Sequence, residues 1–252
     1  MFPQLKAFVL RPESWFRRRT SDLHGARALV IAFLVAMIVT LQAGGFLWLV
    51  SERMTGTITR DNPDRPPEWM CDDGGDSPFS GTDIGETDGT PAGCTEPKQE
   101  TVEIGTVVWQ EATGVLPTLF VGMLLLWLIG GVAIHLLIGG IGTEGTVGQT
   151  LEVLAWCGVV QVVTIAIVVP LLVLSLPDGA LSASDPEAVL SAVRALGVGP
   201  IGILTTAVSV AGTLWQSYVL FGGLTAVHEA SRIHAASVSA LFAIVLLLTA
   251  LT

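Results

Sequence analysis

Two long apolar segments lie between Leu116 and Leu176. The first is LPTLFVGMLLLWLIGGVAIHLLI (116–138), the second is VLAWCGVVQVVTIAIVVPLLVLSL (153–176), and the Gly-rich bend GGIGTEG (139–145) lies between them. Apolar segments longer than about 18 residues with almost no charge predict membrane-spanning helices. The sequence therefore predicts a transmembrane hairpin at the centre of the fold.

Three further apolar segments extend this hairpin to a predicted bundle of five transmembrane helices. They lie at 27–50, 201–224 and 235–251, so that residues 114–252 hold the second to fifth helices. A short amphipathic helix is expected over 185–196, in the polar connection 177–199. With 51% hydrophobic and 13% charged residues, the 252-residue chain is too apolar for a soluble domain. The predicted fold class is an all-α polytopic membrane protein with an acidic extracellular loop insertion.

The predicted loop insertion, residues 51–113, carries the whole net charge of −10, because it holds 14 acidic and 4 basic residues. An acidic surface poor in Lys is typical of proteins adapted to high salt. Cys71 and Cys94 are expected to form a disulfide if the loop faces the oxidising side. Thr55–Arg60 and Glu100–Val108 favour a two-stranded mini-domain closed by that bridge, and a solvated loop without regular structure is the alternative.

The N-terminal segment, residues 1–26, is basic and amphipathic. Its aromatic side chains suit a helix in the headgroup layer, and four arginines are expected to face anionic lipid: Arg11, Arg17, Arg18 and Arg19. Pro12 favours the first turn of a second short helix. The concentration of Lys and Arg here predicts a cytoplasmic N-terminus, and five spans then place the C-terminus outside the cell membrane.

The candidate chemistry is limited. All four histidines fall on the predicted cytoplasmic side, at His24, His135, His228 and His234, where a metal-dependent membrane enzyme is one hypothesis and interfacial hydrogen bonding is the favoured one. His228-Glu229 begins like the zinc motif H-E-x-x-H, but Arg232 occupies the position of the second histidine. No G-x-S-x-G elbow or Walker loop occurs in the sequence. We therefore expect no catalytic residue, no cofactor, no metal and no nucleic-acid partner.

A small-solute transporter or channel subunit is the alternative function. That hypothesis requires a polar path to the middle of the membrane near Gln161 and Gln216, which are among the few polar residues in the predicted spans.

Four stretches of the chain resemble the Yip (Ypt-interacting protein) family, in particular its prokaryotic five-span members. They are Leu10–Phe16, which is similar to the family's Pro-x-x-aromatic opening; Asp22–Ala26, which resembles Asp-Leu-Tyr-Gly-Pro with His24 for Tyr and Ala26 for Pro; Gly139–Gly142 with Gln149–Trp156, which resembles the bend into the third span; and Leu220–Ala230, which is similar to the closing Gly-Leu-x-x-x-His. The resemblance covers most of the chain outside residues 51–113.

The family resemblance implies a membrane location and a non-catalytic role. Eukaryotic Yip proteins act in vesicle trafficking and bind prenylated Rab-type GTPases, whereas for prokaryotic members the family implies a fold more than an activity. We expect a membrane scaffold or organiser whose cytoplasmic face contacts lipid or an unidentified protein partner. The candidate interaction face comprises Asp22, Leu23, His24, Gly25, His135, Trp156, His228, Glu229 and Arg232.

Overall fold

The computed structural model describes residues 2–71, 93–139, 145–175 and 199–251. The predicted helix at 185–196, most of the Gly-rich bend and residues 72–92 of the acidic loop lie outside the described residues. In the described part of the chain the helices are α1 (Phe2–Leu10), α2 (Pro12–Arg17), α3 (Gly25–Arg53), α4 (Glu68–Cys71), α5 (Ile104–Leu137), α6 (Val147–Ser175), α7 (Pro200–Val227) and α8 (Arg232–Leu251).

The long helices form the predicted polytopic membrane fold. Among the described residues four helices, α3, α5, α6 and α7, are long and apolar enough to cross a membrane. Helix α8 is a shorter apolar helix of 20 residues, or about 30 Å, close to the thickness of the hydrocarbon layer. A helix satisfies its own backbone hydrogen bonds, which is why apolar segments of this length fold as helices in lipid.

Helix α6 lies in the middle of the bundle. It contacts α3 on one side and α7 on the other, while α5 packs against α3 and α8 packs against α7. Close approach depends on small residues: a Cβ added at Gly158 would come within 2.9 Å of Val35, and one added at Gly223 would overlap Val153. Glycines at these helix contacts allow the dense association that holds membrane helices together.

Helices α5 and α6 begin earlier than the apolar pattern predicts. Helix α5 begins at Ile104 rather than at 116, so residues 104–108 are helical and not part of a strand. Gly105 allows this extra length, because a side chain there would overlap the Ser51 carbonyl group at the end of α3. Helix α6 begins at Val147 because Thr146 and Gln149 form a capping box: the Gln149 N–H donates to Thr146 Oγ1 (3.3 Å) and the Thr146 N–H donates to Gln149 Oε1 (2.9 Å).

A small β-hairpin connects α3 and α5, as the alternating pattern of the acidic segment favours. Strand β1 (Thr57–Asp61) pairs antiparallel with β2 (Gln99–Glu103). A disulfide joins Cys71 to Cys94, and Arg60 donates to Glu100 across the strands at 2.7 Å. The hairpin therefore caps the end of the bundle at which α3 ends and α5 begins.

The N-terminal segment folds back onto the other end of the bundle. Pro12 opens α2, as predicted, because its missing N–H is not needed in the first turn. The expectation that the aromatic side chains enter the headgroup layer is wrong: Phe8, Trp15 and Phe16 are buried in the protein core. Helix α2 packs against α7, and the rings of Phe8 and Trp15 contact Trp156 of α6.

Candidate functional site

The interaction residues predicted from the sequence lie at one end of the bundle. Helices α1 and α2, the starts of α3, α6 and α8, and the ends of α5 and α7 all lie at this end. We call it the N-terminal face and define it by the predicted interaction residues together with those that bind them: Arg11, Glu13, Arg17, Asp22, Leu23, His24, Gly25, Arg27, His135, Thr150, Glu152, Trp156, His228, Glu229 and Arg232.

Glu152 is the buried charge of the N-terminal face. Its carboxylate is fully buried and accepts a hydrogen bond from the backbone N–H of His24 at 2.9 Å. The guanidinium of Arg27 pairs with the other carboxylate oxygen at 3.2 Å. Gly25 and Gly148 permit this contact, since a Cβ on Gly148 would lie 2.9 Å from the Gly25 nitrogen. A buried carboxylate needs such donors, and here they tie the start of α3 to α6.

Thr150 joins two of the four histidines. Its buried hydroxyl lies 3.2 Å from His135 Nδ1 and 2.8 Å from His228 Nε2, and it donates to the Thr146 carbonyl at 3.2 Å. Because a hydroxyl has one proton, and this one goes to the Thr146 carbonyl, His135 Nδ1 and His228 Nε2 are assigned as donors to its oxygen. Through the Thr150 hydroxyl, the two histidines therefore join α5 and the end of α7 to α6.

His228 follows the last residue of α7 and is buried. Burial, and to a smaller extent the neighbouring His135, together lower its pKa to about 4. Gly145 leaves room for the ring, because a Cβ at that position would overlap it. His228 is thus held in its neutral form by its surroundings.

An aromatic cluster fixes the N-terminal helices to α6. The ring of Trp156 lies 4.9 Å from that of Trp15 and 5.5 Å from that of Phe8, between centroids. The Arg19 guanidinium stacks over Trp15 at 4.3 Å from the ring centroid. Trp156, which sequence comparison singled out at the bend, is therefore a docking surface for α1 and α2.

A basic cavity of about 370 Å³ lies where α2 meets α7. One side is lined by Arg11, Glu13, Ser14 and Arg17, and the other by Tyr218 and Phe221. The Tyr218 hydroxyl donates to the Leu10 carbonyl at 3.0 Å, which holds α1 beside α7. Two guanidinium groups next to a tyrosine hydroxyl have the chemistry of a phosphate headgroup site.

Glu13 balances part of this positive charge. It pairs with Arg17 at 3.0 Å and with Arg232 at 3.6 Å, which links α2 to the start of α8. Arg11 is exposed, and no ion pair engages it within the described residues. The cavity therefore keeps a net positive charge.

The predicted residues divide into two groups at this face. His135, His228 and Trp156 are engaged in the contacts between helices, as is Leu23, which is buried. The members that reach the surface are Asp22, His24, Gly25, Glu229 and Arg232. Glu229 has a left-handed backbone (φ 48°) in the turn between α7 and α8.

The four histidines do not converge. His135 and His228 meet at Thr150, whereas the side chains of His24 and His234 are exposed. Within residues 2–71, 93–139, 145–175 and 199–251, no three His, Cys, Asp or Glu side chains are grouped so as to hold a metal ion. His135 and His228 therefore form a hydrogen-bonded contact between helices.

Three residues of the site were missed by sequence reasoning: Arg27, Thr150 and Glu152. Glu152 and Arg27 are each a charged residue in the first turns of an otherwise apolar helix, and such residues need a partner. Their opposite charges at corresponding depths are the signal that was available. Thr150 offered no comparable signal, since its role depends on two histidines distant in sequence.

The glutamines of the transport hypothesis do meet in the membrane part of the bundle. Gln216 donates from its side-chain nitrogen to the side-chain oxygen of Gln161, and both line a cavity of about 700 Å³. The other polar groups among its described lining residues are the hydroxyls of Thr164, Ser209 and Thr213, the Trp127 indole N–H and the Cys157 thiol, and the last two donate to backbone carbonyls. Lining of this kind favours an apolar occupant over a polar solute.

The fold and the site define an α-helical, multi-pass integral membrane protein. The family model described as the Yip1 domain matches residues 6–252, so the chain belongs to the Yip1 domain family, as the four resembling stretches predict. No individual curated protein and no solved structure matches it.

Proposed function

We propose that this Yip-type protein is a non-catalytic membrane organiser whose N-terminal face binds anionic lipid headgroups and a protein partner in the cytoplasm. The observation that carries the proposal is the basic cavity between Arg11, Arg17 and Tyr218. It lies at the end of the spanning helices where we expect the headgroup layer. A guanidinium fork matches phosphate geometry, and a tyrosine ring suits the headgroup layer.

The state of the chemically capable side chains supports a non-catalytic role. Glu152 is ion-paired with Arg27, and His135 Nδ1 and His228 Nε2 each lie within hydrogen-bonding distance of the Thr150 hydroxyl. A catalytic acid or base needs access to a substrate, whereas these groups are engaged in contacts between helices.

Two observations support a cytoplasmic N-terminal face in the cell membrane. Six Lys and Arg residues precede or begin the first span, and such residues favour the cytoplasmic side: Lys6, Arg11, Arg17, Arg18, Arg19 and Arg27. The disulfide between Cys71 and Cys94 lies at the opposite end of the bundle, and disulfides persist on the oxidising side. The hairpin and the C-terminus are then extracellular.

The exposed part of the interaction face is our candidate for the protein contact. Asp22, His24, Glu229 and Arg232 present both charges and hydrogen-bonding groups beside the turn between α7 and α8. Photo-crosslinkers placed at Asp22 and Glu229 in native membranes are expected to capture the same partner. Capture of unrelated proteins at the two positions would contradict a single contact surface.

Lipid binding is tested by native mass spectrometry of protein released from nanodiscs that contain equal amounts of phosphatidylglycerol and phosphatidylcholine. The wild type is expected to retain phosphatidylglycerol preferentially. The double variant Arg11→Gln, Arg17→Gln is expected to lose most of that preference, by about 1 kcal/mol for each lost contact.

The matched control is Arg18→Gln combined with Lys6→Gln. It removes the same charge from the same segment but leaves the cavity lining intact, because Arg18 and Lys6 do not line it. Retention of the preference in the control and its loss in the double variant would support the cavity. Equal retention of both lipids by the wild type would overturn the proposal.

A further inference from the structure

A second cavity lies between the long helices, in the membrane part of the bundle. It has a volume of about 700 Å³, within the range of small-molecule sites, and all five long helices contribute to its walls. Its walls are apolar, as at Ala32, Trp127 and Phe242, and none of the described lining residues is charged. Gln161 and Gln216 supply its amide groups.

The two amides have hydrogen-bonding capacity that the described part of the protein does not use. Gln216 is only 4% exposed and gives one N–H to the Gln161 oxygen. The N–H groups of Gln161 and the carbonyl of Gln216 have no partner within the described residues. If the side-chain oxygen and nitrogen of both glutamines are exchanged, the result is the same: one amide keeps a free donor and the other keeps a free acceptor.

Gln161 and Gln216 lie far from the ends of their helices, so their unused hydrogen-bonding groups are far from water. Gln161 lies 14 residues after the start of α6, or about 21 Å along the helix, and Gln216 lies 11 residues before the end of α7, or about 16 Å. Water is scarce at this depth, and an unpaired amide in hydrocarbon is costly. A group that satisfies the pair must therefore arrive on a membrane-soluble molecule.

We propose that this cavity binds a neutral lipid that carries a hydroxyl group on a single hydrocarbon chain. A hydroxyl both donates and accepts, so one group satisfies the free acceptor of Gln216 and the free donor of Gln161. The hydrocarbon chain of the lipid fills the space beside the apolar walls formed by α5 and α8. A charged headgroup does not fit, because the described walls offer no counter-charge.

The test uses two photoreactive probes of equal length in nanodiscs of phosphatidylcholine: a diazirine-bearing hexadecanol and the corresponding hexadecane. Labelled peptides are identified by mass spectrometry in the wild type and three variants. Gln161→Leu with Gln216→Leu replaces both amides by apolar side chains of similar size, which is expected to be tolerated. Ala133→Phe fills the cavity, and Gln42→Leu removes an amide of α3 that does not line it.

We expect the alcohol to label the cavity walls about fivefold more than the alkane, the gain from one net hydrogen bond. The double variant is expected to label equally with both probes, Ala133→Phe to lose labelling by both, and Gln42→Leu to match the wild type. Equal labelling of the wild type by the two probes would overturn the proposal, as would a preference that survives in the double variant. If the double variant does not fold, undiminished labelling of Ala133→Phe would overturn it instead.

Discussion

Glu152 Oε2 accepts a hydrogen bond from the backbone N–H of His24 at 2.9 Å, although 128 residues separate them in the chain. The contact lies where the polypeptide turns from the N-terminal helices into the first span. Together with the ion pair to Arg27 it holds that turn against α6. The N-terminal helices are therefore anchored to the bundle at both ends: by this contact and by the docking of α2 on α7.

Removing the buried carboxylate should weaken the whole N-terminal face. Glu152→Ala leaves the His24 N–H without its acceptor and Arg27 without its partner, so we expect the free energy of unfolding to fall by about 2–4 kcal/mol. The measurement is thermal unfolding in detergent micelles. Glu111→Ala, which removes an exposed carboxylate from α5, is the control. Equal unfolding temperatures for the two variants would show that the Glu152 contact does not stabilise the fold.

Thr150 is expected to be sensitive to the loss of its hydroxyl alone. Thr150→Val has nearly the same shape but leaves the two histidine N–H groups unpaired, which should cost about 1–3 kcal/mol. Thr150→Ser retains the hydroxyl and should lie close to the wild type. The same unfolding assay applies, and a Val variant as stable as the Ser variant would contradict the hydrogen-bond assignment.

The stability of the protein should depend on pH through His228. Its pKa is about 4 in the folded protein and about 6.5 when unfolded, because burial and the neighbouring His135 disfavour the proton. Between these values the unfolded state binds more protons, so the free energy of unfolding should fall as the pH drops from 6.5 to 4, by up to about 3 kcal/mol.

Two variants isolate this contribution. His228→Gln should flatten the pH dependence between 6.5 and 4, whereas His234→Gln, at an exposed position, should retain it. Unfolding temperatures measured at several pH values decide the question. A profile of His228→Gln that parallels that of the wild type would assign the pH dependence to other groups.

The disulfide should stabilise the hairpin without affecting the bundle. Replacing Cys71 and Cys94 by Ser opens a loop of 23 residues and should reduce local stability by about 2–4 kcal/mol. Limited proteolysis with trypsin should then cleave after Lys98 faster than in the wild type, while the unfolding temperature of the spanning helices changes little. Identical cleavage rates would show that the hairpin does not depend on the bridge.

The membrane fold was predictable because length and apolarity are nearly sufficient to specify a spanning helix. The starts of α5 and α6 were not, since Gly105 and the Thr146–Gln149 capping box act through contacts that hydropathy does not register. The burial of Trp15 and Phe16 was also missed. Headgroup lipid and a protein groove both accept aromatic rings, and only the path of the chain decides between them.

The location of the candidate site was predictable from the sequence, whereas the contacts between its residues were not. Family-like stretches identified His24, Trp156 and His228, and these lie at one end of the bundle. The groups that bind them, Glu152 and Thr150, are in the same stretches, but their partners are set by how three helices cross. Sequence spacing within one helix carries no information on such crossings.

Hydrogen–deuterium exchange of residues 6–23 in nanodiscs reports whether the N-terminal segment is docked on the bundle and binds lipid. We predict amide protection comparable to the ends of the spanning helices, rising further when phosphatidylglycerol replaces phosphatidylcholine. Exchange at the rate of an unstructured chain in both lipids would contradict both the docking and the lipid binding.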